Sequence, residues 1–322
     1  MTGLLPRLLR PVVGQVRYLR PVPARRARGL VAEVYRQLEE EFGLLAPPVA
    51  LHAPVPELLA ASWLMLRESL LADGPVPRHQ RERVAAEVSR ANACPYCVTV
   101  HGLAEAALAP TASGATSPDS DSQQPGSDSQ QPGSTSQLLG VARTFHYLNR
   151  MVNVFLPESP LPAAAGAPGG GMLQRLLVTP AARPHPPGSS LALLPGGHRS
   201  APDPVVEAFH RAEAAVHRAV DPWLPPGLAG LLPRLLAGWD GSPPPLGDGW
   251  LTDALATLPT GELPAGRFAV LTALSSYRVT PAVVADFRNW QPADEALLSI
   301  AAWASLLTAR RLVDGATEQR QR

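Results

Sequence analysis

The sequence predicts an all-α protein. Apolar residues recur at three- and four-residue spacing through most of the chain, alternating runs of the β type are scarce, and Pro-, Gly- and Ser-rich seams separate one periodic stretch from the next. Val31–Phe42 opens the helical pattern. Pro56–Leu71 follows, with Leu58, Leu59, Trp63, Leu66 and Leu70 on helical spacing. Gln80–Ala91 and Pro95–Leu108 form a close pair, and Leu138–Leu156 is the long helix after them. The second half repeats the style in Pro204–Val220, Leu228–Leu236 (weakened by Pro233), Arg267–Tyr277, Pro281–Trp290 and Ala293–Val313.

The seams divide the chain. Residues 111–137 carry Ser-Asp-Ser-Gln-Gln-Pro-Gly twice in tandem, too polar to offset the entropy of ordering, and are expected to be a disordered insertion. A Pro/Gly-rich linker spans 161–204. The expected organisation is a basic N-terminal arm over 1–29, a first helical repeat over 30–160, the linker, a second repeat over 205–315, and a tail over 316–322. Two overlays support a duplication. Ser89–Val98 lies over Ser275–Val284, with Pro95 on Pro281, and Asn149–Asn153 lies over Arg310–Asp314. Their offsets differ by about the length of the 111–137 insertion, so removing it restores one period.

Composition narrows the function classes. At 322 residues, 45% of them hydrophobic and 17% charged, the chain is long enough for one large or two small cores. A net charge of +1 gives no broad field toward nucleic acid or anionic lipid, so neither is an expected partner. No apolar run approaches the ~20 residues of a membrane span. Seven arginines precede the first acid, Glu33, and interrupt the N-terminal stretch too often for a secretory core, so 1–29 reads as a disordered basic arm. The expected compartment is the cytoplasm, where a CxxC is catalytic or metal-binding rather than structural.

The chain's two cysteines, Cys94 and Cys97, stand three positions apart, and His101 follows the second by four. Pro95 suits the first position of a helix, which puts Cys94 near the N-cap and Cys97 in the first turn, where unpaired N–H groups and the helix dipole favour a thiolate. Cys97 and His101 share a face at i,i+4, so His101 can exchange a proton with Cys97. Glu82 lies on the preceding helix. The break at Asn92-Ala93 lets it fold back over the dithiol, with Glu87 as a competing carboxylate. Bland readings stand beside these: a zinc site with His101 as third ligand, a solvated Glu82, Tyr96 as packing, and His146 and Tyr147 as helix core rather than pocket lining. A thioredoxin fold is disfavoured, since a helix and not a strand precedes the CxxC. In the second repeat Thr280, Val283, Phe287 and Phe268 stand opposite Cys94, Cys97, His101 and Glu82, so that copy holds no redox atoms.

The run Glu82 to Cys94-Pro95-Tyr96-Cys97 to His101 resembles the alkylhydroperoxidase D-like branch of the carboxymuconolactone decarboxylase superfamily. The likeness extends through Asn149-Arg150-Met151-Val152-Asn153 and recurs over 263–315, as in the long, two-repeat peroxidase-related members. It implies a duplicated helical bundle that assembles as a homo-oligomer, dimer or trimer. It also implies an antioxidant dithiol peroxidase, with Cys97 as the peroxidatic thiol, Cys94 as its resolving partner, and His101 and Glu82 as proton relay. A hydroperoxide is the implied substrate and a lipoyl group or thioredoxin-like protein the implied reductant, with no metal or cofactor. A non-enzymatic redox sensor of the same fold is the alternative, and a structural zinc site a lesser one.

Overall fold

The computed structural model describes residues 16–109, 133–159, 184–196 and 201–320. Among them there are helices and turns but no strand. α1 (Gly29–Gln37) continues through a π-turn, Leu38–Phe42, into the short α2 (Pro47–Ala50). α3 (Pro56–Leu66) begins at a proline, whose missing N–H costs nothing there. Every residue from Leu58 to Leu66 is buried, as befits a helix that is apolar all round. α4 (Arg78–Ala91), α5 (Pro95–Leu108) and α6 (Ser134–Phe155) complete the first set. The second contains α7 (Pro204–Val220), α8 (Pro226–Ala237), α9 (Gly249–Leu255), α10 (Leu263–Ser275), α11 (Pro281–Trp290) and α12 (Asp294–Arg320).

Three associations position the site. α4 packs against α5 as a hairpin, α6 lies along α4 and along α12, and α10 packs on both α11 and α12. The succession α4–α5–α6 thus recurs as α10–α11–α12, with a proline opening the middle helix of each. The long helices α6 and α12 meet at the centre.

The structure corrects several boundaries. The N-terminal segment is not a free arm from residue 16 on. Leu19 is buried, Arg17 N donates to Phe155 O at 2.7 Å, Arg20 N donates to Asp294 Oδ2 at 2.9 Å, and Val22 O accepts from Tyr35 Oη at 2.9 Å. The insertion boundary at 137 runs too far, because α6 starts at Ser134 and Gln137 is buried, accepting from Val76 N at 3.1 Å; residues 110–132 lie outside the described residues. Within the linker, 184–196 is tied to the core. The buried Glu68 accepts from Gly188 N at 2.7 Å and from Ser190 Oγ at 2.6 Å, and pairs with buried Arg67 at 2.7 Å. The tail boundary at 315 falls inside α12.

Two short helices, α2 and α9, had no periodic signal to announce them, each being under two or three turns long. Pro233 lies inside α8, on its exposed face, and the helix runs on to Ala237. Residues 294–317 form a helix long and apolar enough to cross a membrane, contrary to the reading of the sequence, yet 78% of its most apolar window is buried inside the protein. Its apolarity is accounted for by the core.

Candidate active site

The turn between α4 and α5 sets the site. Asn92 closes α4, Ala93 adopts a left-handed φ of 48°, and two hydrogen bonds lock the reversal: Ala93 N to Arg90 O at 3.1 Å and Cys94 N to Ser89 O at 3.0 Å. This is a Schellman stop with alanine where glycine is usual. It aims Cys94 at the start of α5. Cys94 is the N-cap, with φ −111°, and Pro95 is the first helical residue. Val98 N reaches back to Cys94 O at 3.0 Å, so the N–H groups of Tyr96 and Cys97 are the open donors of the first turn. A thiol occupies the place where a Ser, Thr or Asp oxygen would normally cap.

Both cysteines are free thiols, 1% and 2% exposed. Burial, and then the neighbouring Cys94, push the Cys97 thiol up, which runs against the low value that a helix start alone would give. The dithiol lies deeper than its sequence position indicates, so desolvation outweighs the dipole.

Behind the dithiol, His101 Nδ1 meets Glu82 Oε2 at 2.6 Å. Glu82 is 1% exposed, and its other oxygen takes Arg78 Nη2 at 2.6 Å and Nε at 2.8 Å. Burial pushes this carboxyl up, but Arg78 and His101 outweigh burial and bring it down to about 2. An ionised carboxylate only accepts, so Nδ1 carries the proton in this contact. In the neutral ring, Nε2 is therefore the basic nitrogen. Phe145 on α6 holds the imidazole edge to face at 4.4 Å.

The sequence-predicted residues thus come together as two pairs, Cys94 with Cys97 and Glu82 with His101, one helical turn apart on α5. No hydrogen bond joins His101 to either sulfur among the described residues. Glu87, the competing carboxylate, is exposed. Among the described residues no three His, Cys, Asp or Glu side chains converge as metal ligands, so the zinc alternative has no ligand set. Tyr96 is buried. Tyr147 is core, hydrogen-bonded to buried His52 at 2.9 Å.

Three neighbours escaped the reading of the sequence. Arg78 was legible as the i,i+4 partner of Glu82. Asn149 donates to Ser89 Oγ at 3.1 Å, on the last turn before the dithiol, and Asn92 holds Asn149 at 2.9 Å. Asn149 lies in the stretch that carried the resemblance, but nothing in its spacing ties it to Ser89, sixty residues away.

An all-helical scaffold that buries a vicinal dithiol at a helix start, with an ionised glutamate behind a histidine, defines a dithiol protein of the alkylhydroperoxidase D-like class. The model of the carboxymuconolactone decarboxylase family matches residues 57–109, from the first turn of α3 to just past α5. A protein of Mycobacterium tuberculosis (strain ATCC 25618 / H37Rv) named alkyl hydroperoxide reductase is 34% identical over 330 residues, covering 92% of this chain and 94% of the relative. The chain belongs to the carboxymuconolactone decarboxylase superfamily, as an alkylhydroperoxidase D-like member. No solved structure matches it.

Proposed function

We propose that this protein is a thiol-dependent hydroperoxide reductase that cycles through a Cys94–Cys97 disulfide. The observation that carries the reading is the buried Glu82–His101 pair, which leaves Nε2 as the ring's basic nitrogen one turn from Cys97. A desolvated carboxylate–imidazole pair is costly to fold and useful for moving protons. The name of the mycobacterial relative agrees with it.

His101 takes the proton of Cys97. The thiolate attacks the distal oxygen of ROOH, the O–O bond breaks, and RO⁻ leaves with the proton that His101 returns, giving ROH and a sulfenic acid at Cys97. The Cys94 thiol then gives up its proton and attacks the Cys97 sulfur. An S–S bond forms, the S–O bond breaks, and hydroxide leaves as water. Glu82 keeps the imidazole oriented and stabilises it when charged. An external dithiol, a lipoyl group or a thioredoxin-like protein, reduces the disulfide by exchange. Such a reductant suits a reducing cytoplasm. The two helical sets are the products of a duplication, and the protein works as a homo-oligomer, a dimer or trimer as in its family.

The test is a thiol count. Reduced protein mixed with cumene hydroperoxide should lose both thiols per peroxide, Cys97→Ser should lose none, and Cys94→Ser should stop at the sulfenic acid. Unchanged thiols in the wild type, or equal loss in Cys97→Ser, would sink the proposal. Repeated turnover with dihydrolipoamide separates an enzyme from a sensor, which oxidises once.

A further inference from the structure

One stripe of α6 is polar and faces the turn that carries the dithiol. Asn149, Arg150 and Asn153 stand at three- and four-residue spacing and share a face. Asn149 is fully buried and Arg150 is 5% exposed, and such groups are costly to bury unless their hydrogen bonds are made. All three bond to one residue, Asn92, which closes α4 two positions before Cys94. Arg150 Nη1 donates to Asn92 Oδ1 at 3.1 Å, Asn153 Nδ2 donates to Asn92 O at 3.1 Å, and Asn92 Nδ2 donates to Asn149 Oδ1 at 2.9 Å. Two of the three are anchored in the second helical set. Arg150 Nε donates to Ala273 O at 2.8 Å, near the end of α10, and Asn153 Nδ2 donates to Ser276 Oγ at 3.0 Å, just past it. The turn has need of such a clamp, because Ala93 holds φ 48°, a conformation that costs an alanine free energy and persists where its surroundings fix it. The second set treats the matched positions differently. Arg310 and Asp314, opposite Asn149 and Asn153, are exposed and pair with each other at 3.5 Å. Arg311, opposite Arg150, donates to Leu236 O at 2.9 Å and Trp239 O at 3.0 Å, at the end of α8. The turn before Thr280, with Val279 at an ordinary φ of −71°, is left without these ties.

We propose that Arg150 and Asn153 are positioning residues, the ties by which the second helical set, itself without redox atoms, fixes the Asn92-Ala93 turn and so the placing of Cys94 against Cys97. The inference deepens the peroxidase reading and rests on it, because a disulfide that forms and breaks in every turnover depends on how the turn presents its two sulfurs.

Hydrogen exchange of the full chain reads the clamp without any thiol chemistry. The Ala93 and Cys94 amides are bonded to Arg90 O and Ser89 O. They should exchange about tenfold faster in Arg150→Leu and Asn153→Ala, and about threefold faster in Ser276→Ala, while the amides of α3 keep the parent's rates. Titration in glutathione buffers reads the positioning. Cys94 and Cys97 give two electrons and two protons to oxidised glutathione, which is released as two thiols as the Cys94–Cys97 bond forms. A loosened turn lowers the effective concentration of one thiol at the other, so the constant for closing the disulfide should fall about threefold to tenfold in the same variants. Arg311→Leu, at the matched arginine, should lower stability and leave both readouts at the parent's values. Asn153→Ala and Ser276→Ala keep the test open if Arg150→Leu does not fold. Folded variants with the parent's exchange at Ala93 and Cys94, faster exchange with an unmoved constant, or equal shifts in Arg311→Leu overturn the inference. A parent that forms no Cys94–Cys97 disulfide in any glutathione buffer retires the peroxidase reading, and the exchange rates then decide the clamp by themselves.

Discussion

Glu82 and His101 meet across α4 and α5 through a 2.6 Å hydrogen bond, whereas at the corresponding places in α10 and α11, Phe268 and Phe287 meet ring to ring at 5.0 Å. The overlay that lays Pro95 on Pro281 pairs these residues, and all four are buried. Cys94 caps α5 without a side-chain hydrogen bond, while its counterpart Thr280 caps α11 through Val283 N. The second hairpin holds the matched positions with an aromatic pair and an ordinary N-cap. The first hairpin gives up both. It buries a carboxylate that needs Arg78 to stay ionised, where the second set has Pro264, and it places a thiol where an oxygen would bond better. Differences of this kind, at matched positions in one chain, separate what the scaffold needs from what the proposed chemistry needs.

The most demanding test of the comparison makes the first hairpin resemble the second. Glu82→Leu combined with His101→Phe should lower peroxide reduction by a factor of about 10²–10⁴, the usual worth of a positioned acid–base group. Stability should change little or improve, because apolar replacement of a buried ion pair removes its desolvation cost. Stopped-flow oxidation and urea unfolding on the same sample check both halves. A loss of more than about 3 kcal/mol with activity retained would make the pair structural and end the contrast.

The reverse exchange is next in size. Phe268→Glu puts a carboxylate into an aromatic core with no arginine to pair it, and should cost about 3–5 kcal/mol. Adding Phe287→His should return part of that by supplying a hydrogen-bond partner. Chemical denaturation of the single and double variants measures the coupling. Equal stability of Phe268→Glu and wild type would show that the second hairpin is not packed as described.

Acid should strain the first set before it reaches the second. Burial holds His52 down at about 4, and burial with Arg150 holds His146 at about 3, both from 6.5. Below pH 6.5 the unfolded chain takes up protons on these rings that the folded protein does not, so stability falls as pH drops through that range. Glu82 contributes in a lower window. Its stabilisation is complete above its ordinary 4.5 and is lost as pH falls toward its folded value of about 2. Urea midpoints at pH 7, 5.5 and 4 should decline steadily, and less steeply in His52→Gln. A flat profile between 6.5 and 4.5 would contradict the neutral buried rings.

How much of this was legible in the sequence follows from the range over which each signal acts. Helices of three turns or more showed through periodicity, and the Pro-initiated starts at Pro56, Pro95, Pro204 and Pro281 agree to the residue with the structure. α2 and α9 are too short for a period to declare itself, and most hydrogen bonds that dock residues 16–28 come from backbone groups, which carry no side-chain signature. At the site, Cys94, Cys97 and His101 are local on one helix and Glu82 is one hairpin away, so spacing sufficed. Asn149 reaches Ser89 from α6, and Arg150 on α6 reaches Ala273 in the other helical set. Contacts across such separations depend on how helices pack. Depth of burial is equally invisible to spacing, which is why the helix start alone pointed to a lower Cys97 thiol than the structure gives.

The smallest effect concerns the two turns themselves. Ala93, before the Cys94 cap, holds φ 48°, while its counterpart Val279, before Thr280, holds an ordinary φ of −71°. A left-handed alanine costs about 1–2 kcal/mol relative to its preferred regions, and glycine removes that cost while adding about 0.5–1 kcal/mol of unfolded-state entropy. Ala93→Gly should therefore stabilise by up to about 1 kcal/mol. Val279→Gly gains no conformational relief and loses a buried side chain, so it should destabilise by about 1–3 kcal/mol. The opposite signs follow from backbone geometry alone, and thermal melts of the two variants read them directly. If both glycines destabilise, the turn into the dithiol is not the left-handed stop described, and the placement of Cys94 at the head of α5 loses its local cause.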